Sequence, residues 1–300
     1  MISCEFKYCK PDSLPALMQI LTMYPEATLL AGGHALLPAM KSREIRPERL
    51  VDLAAIPELR GIRRGSAAIQ IGAMVTTAEV EHSSLLKDAL PLLPDAAKVI
   101  SDPLIRNRAT IGGSLAQAEP SGDWPAIALA VGAIIHLTGV NGERAVPIDD
   151  FFQIETTPAG NGLAVGRRTV VARSEVITHV SIPLVQGDVR RSYLKRMHPA
   201  SGFALIGVAV ALRLDQDRRC DWCRIAITGA ASAAFRALKA ERCLVGTAIS
   251  GEIIREASML AGEENVEFIG DPFGSSAYRR QMLPVYLRRA LSTAIESALV

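Results

Sequence analysis

Two pairs of adjacent glycines are the residues best placed to do chemistry. Gly32-Gly33 follows the apolar run Ala27–Ala31, and Gly112-Gly113 follows Thr110 and Ile111, 80 residues further along the chain. Glycine adopts positive φ and lets a bulky anion approach the backbone, so successive N–H groups in such a loop can converge on phosphate oxygens. Two such loops would suit the two phosphates of a dinucleotide, and a glycine pair is equally a tight turn. Neither loop has the GxGxxG spacing of a Rossmann turn or the GxxxxGK[ST] spacing of a P-loop.

Cys220 and Cys223 form a second pattern, a CxxC, in a chain with five cysteines. An odd number without disulfide-framework spacing is typical of a reducing compartment. The pair lies in Arg219–Thr228, where Ile225 and Ile227 alternate as in a strand. Residues three apart on a regular strand point to opposite faces, so we expect the two sulfurs to diverge. This favours ordinary thiols over a metal or redox site, and no second CxxC completes a four-thiolate site.

Alternating helix and strand patterns surround the glycine pairs. Asp12–Tyr24 has a polar cap followed by apolar residues at i, i+3, i+4 and i+7, which predicts an amphipathic helix. Asn141-Gly142 predicts a hairpin between Ile134–Thr138 and Arg144–Pro147. The other predicted strands are Ala27–Ala31, Leu50–Leu53, Ala68–Gly72, Gly207–Asp215 and Cys220–Gly229, and the other predicted helices are Thr77–Leu86, Leu90–Ile100, Glu252–Leu260 and Ser275–Leu299. We expect Pro284 to kink or split the last of these helices.

Length and charge limit the class of protein. The 300 residues predict about two domains, with the polar segment Leu184–Arg191 as the linker. A formal charge of +2 argues against a nucleic-acid partner, because phosphate neutralisation needs a clustered basic surface. The longest apolar run, Ala126–Leu137, is shorter than the ~20 residues of a membrane helix, and the N-terminus has no signal-peptide pattern. We therefore expect a cytoplasmic protein without a membrane span.

Both glycine loops belong to longer motifs that resemble one protein family. The segments Ala31–Lys41 and Ile105–Ala116, followed by Asp123-Trp124-Pro125, resemble the FAD-binding medium subunits of molybdenum hydroxylases of the carbon monoxide dehydrogenase and xanthine dehydrogenase type. Leu50–Leu53 and Ser276–Arg280 also match, so the likeness runs nearly from end to end.

The resemblance implies an α+β fold. A PCMH-type FAD-binding domain at 1–183 would have two α/β subdomains, about 1–55 and 56–183, with FAD between them. A small α+β domain of the carbon monoxide dehydrogenase flavoprotein type, with a three-stranded sheet and helices, would occupy 190–300. The implied function is electron transfer from iron–sulfur clusters through FAD to an external acceptor. A small partner subunit would carry [2Fe-2S] clusters, and a large one would oxidise the substrate at the molybdenum cofactor.

Carried over position by position, the resemblance also implies the residues that contact FAD. Lys195 would lie beside the isoalloxazine and stabilise negative charge on the reduced ring. Phe203 would cover one ring face, Asp123 would lie near the ribityl chain or the phosphate loop, and Ile177 would offer backbone contacts to the adenine or ring end. The pyrophosphate would be held by Ala31, Gly32, Gly33, His34, Ala35 and Leu36 in the first loop and by Thr110, Ile111, Gly112, Gly113 and Ser114 in the second. The resemblance implies no catalytic residue and no metal ligand in this chain.

Four positions depart from the family pattern. Ala35 stands where serine is usual, Gly202 where aspartate is common, Glu119 where aspartate is more frequent, and Phe203 where the carbon monoxide enzyme has tyrosine. A lost hydroxyl donor at Ala35 costs roughly 1.5–3 kcal/mol of phosphate binding unless a backbone N–H or water replaces it. Because the glycines are kept, we still expect flavin. We expect His34 to be a hydrogen-bonding loop residue rather than a covalent attachment point for the flavin.

Two other functions stay open: a self-sufficient flavin-dependent reductase or oxidase, and a non-catalytic assembly subunit that has lost FAD. The chain has no Ser-His-Asp set, no iron–sulfur cysteine pattern and no nicotinamide fingerprint, which favours electron relay. Arg106 and Arg108, which flank the second loop, could pair with phosphate, pair with a partner's carboxylates or face solvent.

Overall fold

The computed structural model of this chain describes residues 4–153 and 169–296. These residues form three sheets with three hydrophobic cores, which confirms the predicted α+β class. Within these two ranges, no helix is long and apolar enough to cross a membrane.

A small parallel sheet precedes and follows the first glycine loop. Its strands are β1 (Lys7–Cys9), β2 (Thr28–Leu30) and β3 (Arg49–Asp52), and its helices are α1 (Leu14–Met23) and α2 (Leu36–Lys41). The strand order is β1-β3-β2, with both pairings parallel. Leu17 and Leu21 of α1 are fully buried in a core with Val51 of β3, because their spacing puts them on one helix face. The first glycine loop therefore connects the end of β2 to the start of α2.

An antiparallel sheet and six helices make up the middle of the chain. The strands are β4 (Ile62–Arg64), β5 (Ala68–Gly72), β6 (Ile134–Gly139), β7 (Gly142–Pro147) and β8 (Glu175–Pro183), and the helices are α3 (Thr77–His82), α4 (Ser84–Ala89), α5 (Leu92–Lys98), α6 (Pro103–Arg106), α7 (Ile111–Gln117) and α8 (Asp123–Val131). The strand order is β4-β5-β8-β6-β7. The predicted hairpin is confirmed as β6 and β7, which meet at Gly139 and Gly142. All nine residues of α8 are buried.

The last sheet is antiparallel and lies between two layers. Its strands are β9 (Asp188–Met197), β10 (Ala204–Leu214), β11 (Cys220–Thr228) and β12 (Phe235–Arg236), and its helices are α9 (Leu238–Leu244), α10 (Gly251–Ala261) and α11 (Ser276–Glu296). One face packs against these three helices. Ala209 and Ala226 on the other face belong to the core of the middle sheet, so the two units share a packed boundary. The three long strands are those implied by the resemblance, and β12 adds a two-residue edge. The division of the chain at 55, 183 and 190 stays a prediction.

Three predicted elements differ in detail. Thr77–Leu86 is two helices, because the Ser83 hydroxyl accepts a hydrogen bond from the Leu86 N–H at 3.3 Å and so caps a new helix. The last helix is not split at Pro284. Its neighbours Leu283 and Leu287 are fully buried, and that burial offsets the one hydrogen bond that proline cannot make.

The predicted linker Leu184–Arg191 is too long, because β9 already begins at Asp188. Asp188 is the register partner of Leu214 in β10, and Arg191 is the partner of Ala211. Backbone pairing does not depend on side-chain polarity, so a charged stretch can extend the edge of a sheet.

The expectation that Cys220 and Cys223 point to opposite faces is wrong. Cys223 is the register partner of Leu212 and Cys220 is the partner of Leu214, so residues 221–222 together stand opposite the single residue Arg213. This extra residue is a β-bulge, which shifts the alternation of side chains by one position. Both cysteines consequently face the core under α9, α10 and α11.

Candidate functional site

The structure brings the two glycine loops into contact. A Cβ atom on Gly32 would lie 2.2 Å from the Arg108 carbonyl oxygen, at the entry to the second loop. A Cβ atom on Gly113 would lie 3.3 Å from the Cβ of Ala31 and 2.8 Å from the Thr110 Oγ1. At Gly32 no side chain fits unless the backbone of one loop moves, so the missing Cβ is what allows the loops to touch.

The second loop uses its own N–H groups to dock on the end of β5. The N–H groups of Ile111 and Gly112 donate to the carbonyls of Val75 and Ala73, at 3.0 and 2.9 Å. The Gly113 N–H donates to the Thr110 Oγ1 at 3.1 Å. The Ser114 N–H donates to the Thr110 carbonyl at 3.0 Å. The N–H groups of residues 111–114 are therefore already paired within the protein, so this part of the second loop forms a wall without free backbone donors.

The first loop has free donors instead. Within the described ranges, no backbone or side-chain acceptor receives a hydrogen bond from the N–H groups of residues 32–36. Gly33 has φ +80°, the region that favours glycine, and its carbonyl accepts from the Leu37 N–H at 2.9 Å. His34 and Ala35 are exposed. A row of N–H groups with no acceptor among the described residues thus lies next to the second loop, an arrangement that suits an anion.

Asp123, Tyr193 and Lys195 form a buried triad that links α8 to β9. The Tyr193 hydroxyl donates to Asp123 Oδ1, and Lys195 Nζ lies 3.0 Å from Oδ1 and 3.2 Å from Oδ2 of the same carboxylate. The side chains of Lys195 and Asp123 are 3% and 4% exposed. Burial raises the pKa of Asp123, and the Lys195 charge opposes that rise. Burial, together with the Asp123 charge, raises the pKa of Tyr193 well above its ordinary value, so the phenol is a donor at neutral pH.

Lys195 also holds the turn that carries Phe203. Its ammonium donates to the Gly202 carbonyl at 2.9 Å. Gly202 has φ +73°, and a Cβ atom there would lie 3.3 Å from the Cα of Ser101. A glycine at position 202, where the resemblance leads us to expect aspartate, therefore suits both the positive φ and the close approach of Ser101. Phe203 is 47% exposed, which leaves its ring available to a ligand.

The segment between Ser101 and Arg108 joins these parts, because its two ends contact Gly202 and Gly32. Arg106 stabilises this segment. Its guanidinium donates to Glu81 Oε2 at 2.8 Å and to the Ser101 carbonyl at 3.1 Å. Arg106 therefore forms an ion pair within the chain, which was not among the three alternatives considered from the sequence.

Ile177 belongs neither to the two glycine loops nor to the turn that carries Phe203, because it lies in β8. Its side chain is 4% exposed in the core of the middle sheet, opposite Leu137. The next residue, Thr178, accepts from the Ala73 N–H at 2.9 Å, and Ala73 is the residue against which Gly112 packs. Ile177 is thus connected to the second loop through backbone groups.

Sequence reasoning missed Tyr193. The signal was present, because residues two apart on a strand share a face, and Tyr193 and Lys195 therefore point to the same carboxylate. Gly207 supports the arrangement, since a Cβ atom there would lie 2.6 Å from the Tyr193 hydroxyl oxygen.

Comparison with known proteins assigns the chain to a family. Residues 4–185 match the FAD binding domain in molybdopterin dehydrogenase, and residues 191–294 match the CO dehydrogenase flavoprotein C-terminal domain. The chain belongs to this flavoprotein family. As the sequence predicted, it is a FAD-binding subunit of an oxidoreductase.

Relatives of this flavoprotein match it over nearly its full length. The carbon monoxide dehydrogenase medium chain of Hydrogenophaga pseudoflava is 36% identical over 98% of both chains, and a solved structure of that enzyme matches with a TM-score of 0.91 over 98% of this chain and 99% of that one. The nicotine 6-hydroxylase medium subunit of Paenarthrobacter nicotinovorans is 32% identical over 96% of both chains. The structure of quinoline 2-oxidoreductase from Pseudomonas putida 86 matches with a TM-score of 0.90, 29% identity and complete coverage of both chains.

The residues present fit the flavin that the family binds. A FAD pyrophosphate needs several converging donors, and the first loop supplies free N–H groups in a row. The missing side chain at Gly32 lets the loop backbone lie directly against Arg108. The exposed Phe203 ring supplies an aromatic face to a ligand.

Proposed function

We propose that this chain is the medium subunit of a heterotrimeric molybdenum hydroxylase. A large subunit oxidises the substrate at the molybdenum cofactor, [2Fe-2S] clusters of a small subunit receive the electrons, and this chain passes them through FAD to an external acceptor. When bound, the flavin supplies chemistry that accepts and releases both single electrons and electron pairs. The contact of a donor-rich glycine loop with a rigid second loop carries the proposal, and the relatives named as medium chains or subunits support it.

In this proposal the first loop holds the pyrophosphate and the second loop holds the first in place. Residues 32–36 donate their free N–H groups, and the wall from Thr110 to Ser114 prevents the loop from collapsing onto them. Ala35 lacks the hydroxyl that the family's serine would offer. Its own N–H is free and exposed, so a backbone donor is available where the side-chain donor is lost.

The buried triad positions the ring end of the site. Lys195 is paired with Asp123, so the ion pair has little net charge with which to stabilise a charged flavin ring. Lys195 contributes chiefly by binding the Gly202 carbonyl, which positions the neighbouring Phe203. The Tyr193 hydroxyl fixes the carboxylate to which Lys195 binds. Asp123 and Lys195 are thus positioning residues, and Phe203 is the group that covers the ring.

The substrate belongs to the large partner in this proposal. Relatives named for carbon monoxide, nicotine and quinoline resemble this chain at 29–36% identity, so a similar flavoprotein accompanies very different substrates. A quinone or oxygen could serve as the external acceptor, and in this proposal the complex is cytoplasmic. Nucleic acid is not among the partners, in keeping with the near-balanced charge.

Flavin titration of two glycine variants tests the site. A Cβ at Gly32 collides with the Arg108 backbone, whereas a Cβ at Gly251 meets no atom within 4 Å and makes Gly251→Ala a matched control. We expect Gly32→Ala to weaken FAD binding at least tenfold, about 1.4 kcal/mol, and Gly251→Ala to leave it unchanged. Equal affinity of the two variants for FAD, measured by fluorescence quenching, would place the flavin elsewhere.

An absorption spectrum of the tagged chain, purified gently from its native host, tests the assembly. We expect flavin bands over a broad iron–sulfur background, two co-purifying subunits and stoichiometric molybdenum. A monomer with flavin bands that turns over substrate alone would instead show a self-sufficient flavin-dependent reductase or oxidase. A colourless chain that stays colourless after FAD is added would show an assembly subunit that has lost the cofactor.

A further inference from the structure

The β-bulge in β11 places two thiols side by side in the C-terminal core. Cys220 and Cys223 are the register partners of Leu214 and Leu212, which are two apart and share a face of β10. Positions related in this way have Cα atoms about 6–7 Å apart. Disulfides bridge Cα separations of roughly 4.4–6.8 Å, so the backbone spacing is near what a disulfide needs.

The two thiols differ in acidity. A hydrogen bond from Cys223 lowers the pKa of Cys220, while the same bond and burial raise the pKa of Cys223 well above its ordinary value. The charged groups facing the pair are Asp221 on the same strand, Glu241 on α9 and Arg236 on β12. A thiol of lowered pKa beside one of raised pKa is the asymmetry of a nucleophile and its resolving partner.

Access to the pair is limited to small molecules. Cys220 is fully buried and Cys223 is 6% exposed. A surface turn pairs with the backbone of Cys220: the Gly246 N–H donates to the Cys220 carbonyl at 2.7 Å, and the Cys220 N–H donates to the Thr247 carbonyl at 2.9 Å. Val245 in this turn is 45% exposed. A peroxide can reach the pair by local opening of the turn, whereas a protein oxidant would need larger unfolding.

We propose that Cys220 and Cys223 are a redox-active pair that closes a reversible disulfide with a hydroperoxide, such as hydrogen peroxide, as the oxidant. The Cys220 thiolate attacks one peroxide oxygen, the O–O bond breaks, and the other oxygen leaves as hydroxide and takes a proton to become water. The Cys223 sulfur then displaces the new hydroxyl group of Cys220, which leaves as a second water as the S–S bond forms. Two thiols are oxidised, one peroxide is reduced to two waters, and an external dithiol reverses the reaction by exchange.

The pair lies far from the proposed flavin site. Cys220 begins β11, and Thr228 at its other end donates to the carbonyls of Pro120 and Gly122, next to Asp123. Because of the bulge, Cys220 and Thr228 are separated by the seven steps of β10 from Leu214 to Gly207, about 24 Å, and Cys223 is five steps, about 17 Å, from Thr228. Closure of the disulfide is therefore expected to leave FAD content unchanged, and the proposal is independent of the flavin assignment.

Thiol counting on the full-length protein tests the proposal. After treatment with hydrogen peroxide and denaturation under acid, we expect the count of free thiols to fall from five to three, with a peptide bridging Cys220 and Cys223 that is two hydrogen atoms lighter. Dithiothreitol should restore all five thiols. Cys243→Ser, which removes the other cysteine of this unit, should lose the same two thiols as the wild-type chain.

Two single variants define the roles of the pair. In Cys223→Ser we expect Cys220 to stop at the sulfenic acid, one oxygen heavier, because no resolving thiol is present. In Cys220→Ser we expect no disulfide. A wild-type chain that keeps five thiols, or one in which Cys220 bridges to Cys243, would overturn the proposal. Both results are measured on the wild-type protein, so the test does not depend on the folding of a variant.

Discussion

Two of the charged contacts between the C-terminal sheet and the middle of the chain differ in their surroundings. In the buried triad, Lys195 Nζ lies 3.0 Å from Asp123 Oδ1 and both side chains are at most 4% exposed. At the other contact, Arg224 Nη2 lies only 2.7 Å from Asp149 Oδ1, and the Asp149 side chain is 40% exposed. Arg224 Nε also donates to the Leu129 carbonyl at 2.7 Å, so this nitrogen keeps its partner when the acid is removed.

The shorter of the two ion pairs, Arg224–Asp149, is expected to contribute less to the free energy of unfolding. Water screens an exposed pair and can replace either partner, so such pairs contribute about 0–1 kcal/mol. A buried pair is different, because removing one member leaves a charge that water cannot reach. Burial rather than distance therefore decides which ion pair contributes more to stability.

The largest effect is expected for Lys195→Met. The variant leaves the Asp123 carboxylate buried with the Tyr193 hydroxyl as its side-chain donor among the described residues, and we expect the free energy of unfolding in urea at neutral pH to fall by about 3–5 kcal/mol. Burial then raises the pKa of Asp123 without opposition, so the folded variant binds a proton more tightly than the unfolded chain does. Its stability should therefore rise as the pH falls.

The double variant Asp123→Asn/Lys195→Met is the control for the charge itself. With neither charge present, it should be more stable than Lys195→Met alone. A loss of less than 1 kcal/mol in Lys195→Met would show that water reaches the triad and that the two contacts are alike.

A smaller effect is expected for Tyr193→Phe, which removes one hydrogen bond to a buried carboxylate. We expect a loss of about 1.5–3 kcal/mol by urea unfolding. The matched control is Tyr8→Phe, because the Tyr8 hydroxyl donates to Asp52 Oδ2 at 2.6 Å on a residue that is 54% exposed. That control should change stability by no more than about 0.5 kcal/mol, and equal losses in the two variants would contradict the role given to burial.

The smallest effect is expected for Asp149→Asn at the exposed contact. We expect a change in the free energy of unfolding of about 0–1 kcal/mol. In 1 M salt the screening length is about 3 Å, so the difference from the wild-type chain should shrink further. A loss above 2 kcal/mol that persists in salt would mean that the Arg224 contact, and not the triad, holds the two units together.

Much of the fold was predictable because local patterns specify it. The Asn-Gly hairpin and β5 follow from turn chemistry and side-chain alternation within a few residues. The bulge at residues 221–222 was not predictable, because it depends on how β11 is aligned with β10 rather than on the strand itself. The continuity of α11 through Pro284 likewise depends on the burial of its neighbours.

The sequence by itself determined the local elements, because turn motifs and alternating apolar residues act over short distances, and its resemblance to the medium subunits implied the family, the flavin and the residues that were candidates to hold it. Only the tertiary structure decided which loop keeps free N–H groups, that Tyr193 completes a triad with a residue 70 positions earlier, and that two cysteines share one face. Each of these depends on contacts between segments far apart in the chain, and such contacts form only when the sheets and helices pack.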